Sequence, residues 1–390
     1  MSNKYFPKTK EELAELILNG VNIHNIDTSG IIFETKVKPT NLDELRHLVR
    51  SSINLANIDV SEITDMDALF CYENRSDWSG IETWDVSNVE DMSRMFKSSN
   101  FNGDISNWNV SSVERMTDMF AYSNFNGDIS KWDVSNVEDM CGMFQYSDFN
   151  EDISKWNVSK CKYFSRMFSN SNFNGDISAW DLSNAKKMVA IFSCSAFKGD
   201  VSKWNVSKVV DMSRMFASTD FNGDISKWDV SNVTDMHNMF YNTKFNGDIS
   251  KWNVRRVRNM EQMFKRSTFN NDISKWNVSK VTNMRRMFEC SKFSQDISKW
   301  DVSAVEDMDY MFFCSEFNGD ISKWDVYFVR RMRSMFKGSK FNGDISKWDT
   351  SNVTTADSIF LNCPIRDEFK PITSCDDYDD DYDECYDVED

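Results

Sequence analysis

Phe221-Asn222-Gly223-Asp224-Ile225-Ser226-Lys227-Trp228-Asp229-Val230-Ser231-Asn232-Val233-Thr234-Asp235-Met236, followed by Met239 and Phe240, decides the fold because it is one copy of many. Tryptophan recurs at 84, 108, 132, 156, 180, 204, 228, 252, 276, 300, 324 and 348, always 24 residues apart. Eleven complete units run from Phe101 to Pro364 without insertion or deletion. A degenerate unit, Asp77 to Asn100, carries Trp78 in place of the leading Phe, and a partial one holds Asp59-Val60-Ser61 and Met66 to Phe70.

With the leading Phe as position 1, the apolar positions are 1, 5, 8, 10, 13, 16, 19 and 20. Positions 8 and 10 alternate with polar 7, 9 and 11, as in Lys227-Trp228-Asp229-Val230-Ser231, and period two predicts a short strand with Trp and Val facing inward. Val233, Met236, Met239 and Phe240 have helical spacing and predict one or two helical turns, with Ser at position 11 and acids at 14 or 15 suiting a helix start. One strand and one short helix cannot bury eight apolar side chains alone. Stacked copies turn each apolar position into a column, so the expected architecture is an α/β repeat solenoid with one short parallel strand and one short helix per 24-residue unit.

The motif Phe-Asn-Gly-Asp-Ile-Ser-Lys-Trp-Asp-Val-Ser-Asn-Val-Thr-Asp-Met at Phe221–Met236 resembles the repeat of the BspA-like leucine-rich-repeat family, a bacterial surface-protein repeat also found in mycoplasma proteins. The resemblance covers most of the chain. It implies a leucine-rich-repeat-like right-handed coil and a role in binding other macromolecules.

A stacked core needs closed ends. Residues 1–52 are expected to form a helical cap, with Thr9-Lys10-Glu11-Glu12 as a capping box before Leu13, Leu16 and Ile17, and a second stripe at Leu42, Leu45, Leu48 and Val49. Ile26-Asp27-Thr28-Ser29 echoes Ile58-Asp59-Val60-Ser61 between them. About thirteen repeats then span 53–364, a C-terminal cap spans 365–375, and 376–390 reads as a disordered acidic tail.

The formal net charge is -17, and ten of the fifteen residues from Asp376 to Asp390 are Asp or Glu. An acidic surface repels phosphate, which argues against a sequence-independent nucleic-acid binder. Nine cysteines without a CxxC pair read as reduced thiols, although Cys290 and Cys314 lie one repeat apart in one column, where a bridge is geometrically conceivable. The start, Met1 to Lys8, has no apolar signal region, and no apolar run reaches bilayer length. These features predict a cytoplasmic monomer without membrane insertion; the resemblance offers the cell surface as the alternative.

Position 4 is Asp in all eleven complete units, from Asp104 to Asp344, and position 6 is always Ser. A calcium ladder is one reading, and backbone hydrogen bonding within a turn is the other, favoured because Glu151, Asn271 and Gln295 break the glycine at position 3. Lys203, Lys227, Lys251 and Lys275 belong to a lysine column at position 7, and Arg255, Arg256 and Arg258, with Arg266, form a basic cluster; both are candidate partner surfaces. A second cluster, Arg330, Arg331 and Arg333, lies one unit beyond Glu306, Asp307 and Asp309 at the same positions, which predicts pairing between units. His24, His47 and His237 have no metal-ligand spacing, and no nucleophile, base and orienter can be assembled. The expectation is therefore a non-enzymatic binding or scaffold protein without a cofactor, engaging a protein or glycan; the alternative is a metal-stabilised structural or adhesive rod.

Overall fold

Repetition at 24 residues forces each unit to make the same bonds to its neighbours, and in a computed structural model of the chain those bonds follow the repeat. The structure describes residues 5, 7, 9–18, 21, 26, 36–51 and 53–372. Their packing divides into two compact units, Met1–Lys187 with Ile191–Gly199, and Met188–Ala190 with Asp200–Asp390. The acidic tail, His24, and most of the Ile26-Asp27-Thr28-Ser29 echo lie outside the described residues.

Near the start of the first unit are two helices, α1 (Lys10–Leu18) and α2 (Leu42–Arg50). Thr9 Oγ1 accepts the Glu12 amide at 3.2 Å, as the capping box requires. The second helix is capped by Asn41, whose side chain accepts the Glu44 amide at 3.0 Å, while Thr40 donates to the Glu44 carboxylate. Leu45, Leu48 and Val49 are its buried stripe.

In the repeats the expected strand and helix are both replaced by turns. Positions 6–7, 11–12 and 17–22 turn, and among the described residues the complete repeats pair in parallel through a single bridge at position 15 of successive repeats. In the first unit the bridged residues are Asp65, Asp91, Arg115, Asp139, Tyr163 and Lys187; in the second they are Asp211, Asp235, Asn259, Asn283, Asp307, Arg331 and Thr355. Around each bridge alternate amides cross to the next repeat. Met236 donates to Asn259 O at 3.0 Å, Asn238 to Glu261 O at 2.8 Å, Phe240 to Met263 O at 3.0 Å and Asn242 to Lys265 O at 2.8 Å. Repeats therefore hydrogen-bond over positions 14–22, the stretch expected to be helical. At positions 8–10, the expected strand, the link is a side chain: Trp252 Nε1 donates to Ile225 O of the preceding repeat at 3.1 Å.

The ladder is possible because positions 18 and 22 are left-handed. Non-glycine residues there have φ between 48° and 62°, among them Arg94, Asp118, Tyr122, Ser218, Gln262 and Tyr310. Each is the third residue of a four-residue turn, closed for example by Met239 N to Met236 O at 3.2 Å and Ser267 N to Phe264 O at 3.1 Å. A turn of this kind requires positive φ at that place. The side chain there needs no particular chemistry but must tolerate the left-handed well. Ser218, with φ 53°, is a convenient probe. Ser218→Val is expected to lower unfolding free energy by about 1–2 kcal/mol, because a β-branched residue is an outlier there, while Ser218→Gly stays within about 0.5 kcal/mol of the parent in urea titrations.

The apolar positions all turn inward. Phe216, Phe240, Phe264, Phe288, Phe312, Phe336 and Phe360 stack in the second unit with centroids 5.6–6.1 Å apart. Phe96, Phe120, Phe144, Phe168 and Phe192 do the same in the first at 5.6–5.9 Å. Position 20 also stacks on the Phe at position 1 that follows, as in Phe216–Phe221 at 4.0 Å. Valines 10 and 13, methionines 16 and 19 and the tryptophans complete a core buried along each unit.

Candidate functional site

The polar positions that do not vary are consumed by the fold. In all eleven complete repeats the position-4 carboxylate accepts the amide of the Ser two residues on, as in Asp224 Oδ1 to Ser226 N at 2.9 Å and Asp248 to Ser250 at 2.9 Å. Hydrogen bonds from those serines hold the Asp104, Asp224 and Asp248 carboxyls below the ordinary carboxylate range. Asp or Asn at position 9 repeats the device on position 11, as in Asp229 with Ser231 at 3.0 Å. At position 15 the same arrangement joins Asp235 to the His237 amide at 2.9 Å. Short polar side chains thus fix two turns in every complete repeat, and a third where position 15 is Asp or Asn.

Adjacent position-4 aspartates do feel one another, since Asp128 pushes the Asp104 carboxyl up and so opposes its serine hydrogen bonds. Among the described residues, however, no three His, Cys, Asp or Glu side chains gather as a metal site. We expect the same thermal midpoint in excess EDTA and in millimolar Ca²⁺; a rise with calcium that scales with the number of repeats retained would show that the aspartate column does bind the ion.

The predicted candidate cations all lie in the second unit. Lys203, Lys227, Lys251 and Lys275 are exposed beside the position-4 aspartates, on the turn at positions 6–7 and not on a strand face. Arg255, Arg256 and Arg258 are also exposed, at positions 11, 12 and 14 of one repeat. Arg256 Nη1 bonds the Asn232 side chain, and among the described residues none of these three arginines makes an ion pair. Arg266 is separated from them along the repeat, at the left-handed position 22.

The second arginine cluster behaves differently. Arg331 meets Asp307 at 3.5 Å, as the column register predicts. The Arg333 side chain instead reaches forward to Asp357 at 2.9 Å, and only its amide bonds Asp309, at 2.8 Å. Arg330 is exposed with its amide on Glu306 O at 2.9 Å. Elsewhere the ladder face is laced by pairs such as Lys265–Glu289 at 3.0 Å and Lys97–Asp118 at 2.6 Å.

Two exposed aromatic features were not singled out from the sequence. Tyr327 and Phe328 take positions 11 and 12, where other repeats mostly carry Ser with Asn or Lys, and their rings meet edge to face at 5.2 Å while 44% and 58% exposed. Tyr122 and Tyr146, at position 22 in the first unit, stack at 4.6 Å. The signal was available: each departs from what its column otherwise holds.

The seven described cysteines are free thiols. Burial pushes the Cys141 thiol up to about 12. Cys290 and Cys314 do approach each other, and the hydrogen bond from Cys314 pulls the Cys290 thiol down against its burial. No helix of the described residues is long and apolar enough to cross a membrane.

The chain matches the family described as Mycoplasma protein of unknown function, DUF285, in five overlapping segments, 44–145, 121–198, 188–292, 211–315 and 266–370. Neither the curated proteins nor the solved structures contain a significant match.

Proposed function

The chain belongs to the family described as Mycoplasma protein of unknown function, DUF285, and from that premise we propose that it is a non-enzymatic interaction module whose exposed rows engage a protein or glycan partner. In this reading the repeats wind as a solenoid of the BspA-like kind, with a turn ladder in place of strand and helix, and 1–52 and 365–375 close its ends. One observation carries the reading. The Asp at position 4 and the Asp or Asn at position 9 are taken up by turn hydrogen bonds in the complete repeats, whereas sequence variation collects at exposed positions and includes Arg255, Arg256 and Arg258, which make no ion pair among the described residues. A surface free of structural duty is where recognition can diversify.

Affinity capture from a mycoplasma lysate tests the reading, using the full chain and residues 1–375, each with and without Arg255→Glu, Arg256→Glu and Arg258→Glu. A partner retained by the parent and lost by the reversed variant supports it and locates the surface. Retention of the same partner by both moves the site to Lys203, Lys227, Lys251 and Lys275, to be reversed next. Loss of nothing in either series removes the proposal.

A further inference from the structure

The second unit carries an edge whose charge opposes the rest of the chain. Positions 11, 12 and 14 across the repeats that contain Arg255 to Arg330 hold Arg255, Arg256, Arg258, Lys280 and Arg330, all exposed, against a single acid, Glu306. The same rows hold the exposed Tyr327 and Phe328. Position 9 alongside adds Asp301 and Asp325, flanked on their other side by the lysines of position 7.

The described chain ends next to this edge. Ile345 N donates to Phe369 O at 3.0 Å and Thr350 Oγ1 to Ile372 O at 2.6 Å, so the backbone departs beside position 10 of the last complete repeat. Ser351 and Asn352, which follow Thr350, begin the very rows that carry Tyr327 and Phe328 one repeat earlier and Arg255 and Arg256 four repeats earlier. What leaves there is Asp376-Asp377-Tyr378-Asp379-Asp380-Asp381-Tyr382-Asp383-Glu384-Cys385-Tyr386-Asp387-Val388-Glu389-Asp390, with ten acids, three tyrosines and no base.

We propose that this acidic, tyrosine-bearing segment docks within its own chain on the basic and aromatic rows between Phe328 and Arg255, resting on the binding reading above in that it covers the surface assigned there to the partner. Reach is not limiting: four repeats at about 4.8 Å each come to about 19 Å, whereas eighteen residues extend to roughly 60 Å. Charge complementarity supplies attraction and orientation. The tyrosines supply aromatic surface for Tyr327 and Phe328 and ring faces for the guanidinium groups of Arg255 and Arg256. A partner must then displace the segment, so affinity for an acidic partner is lower in the full chain than in residues 1–375.

Zero-length carbodiimide coupling of the dilute full chain, read by peptide mass spectrometry, tests this. The expected result is a cross-link in the monomer band between Lys280 and carboxylates of 376–390, in excess over links to Lys208 in the same row. It should fall several-fold in 1 M salt, where the screening length contracts to about 3 Å. It should also fall in Arg255→Glu/Arg256→Glu, and in Tyr327→Ser/Phe328→Asn, which installs residues that other repeats carry at those positions and so retains the fold. Equal coupling to Lys208 and Lys280, or coupling indifferent to all these changes, overturns the proposal; coupling confined to a dimer band overturns it in favour of a second copy. Because capture by residues 1–375 is scored without the segment, a failed docking result leaves the partner reading standing, and the converse also holds.

Discussion

Trp252→Ala lowers unfolding free energy by about 3–5 kcal/mol in urea titration, the range for deleting a buried aromatic without local collapse. Trp252 is 4% exposed, stacks on Trp276 at 6.5 Å and leans on Phe240 at 6.2 Å. Its Nε1 is also a tie between repeats through Ile225 O. That carbonyl keeps the Trp228 amide at 3.2 Å, so truncation does not orphan it, and the loss is mainly packing plus one bond. Trp252→Phe separates the two contributions: it keeps most of the ring area, removes the N–H, and should cost about 1–2 kcal/mol. A cost for Ala no greater than that for Phe would show that the stacked column, despite its burial, contributes little.

Acid removes stability collectively. Asp85, Asp133 and Asp349 have carboxyls lowered by hydrogen bonds from the serine two residues on. At Asp91 and Asp235 burial pushes upward, but hydrogen bonds from Ser93 with Arg115, and from His237 with Asn259, leave both lowered. A carboxyl lowered on folding contributes stability above its unfolded pKa, near 4, and that contribution disappears as pH falls through the folded value. His237 has the opposite sign. Its bond to Asp235 raises it against burial, so its contribution is complete below about 6.5 and is lost as pH rises through the folded value. Asp309, raised first by burial and then by Asp307, also opposes the carboxyl trend. The thermal midpoint is therefore expected to peak between about pH 5 and 6.5, with a steep acid limb and a shallow neutral one. His237→Gln should flatten the neutral limb and leave most of the acid limb; a midpoint independent of pH down to 3 would contradict the Asp turns as stabilising bonds.

The tryptophan interval made the repeat, its core positions and its stacking legible before any coordinates. The local conformation was not legible, for a specific physical reason. Four-residue turns in tandem point Val233, Met236, Met239 and Phe240 inward at much the same intervals as a helix does, so periodicity cannot separate the two. The distinguishing sign is positive φ at positions 18 and 22, and Arg94, Tyr122 and Gln262 do not advertise it. Gly142, Gly338, Asn238 and Asn242 at those positions were the available hints. Trp228 and Val230 did face inward as alternation predicted, but turns at 6–7 and 11–12 leave too little extended chain for a strand. At the candidate surface, exposure of Arg255, Arg256 and Arg258 followed from their sitting in polar columns. The forward reach of Arg333 to Asp357 did not, because register identifies neighbours without choosing between them.

The bonds from Met236, Asn238, Phe240 and Asn242 each land 23 residues ahead, on a residue whose counterpart exists in every following repeat. Removing 269–292 would join Thr268 to Phe293 and hand the donors of Met260 and Gln262 from Asn283 and Arg285 to Asp307 and Asp309, with no geometry to relearn. Length is accordingly a copy number: the chain can be lengthened or shortened in whole 24-residue steps, each leaving every donor an equivalent acceptor. Adding or removing a whole unit brings new combinations of exposed residues side by side, while any change that is not a multiple of 24 would throw the apolar columns out of register.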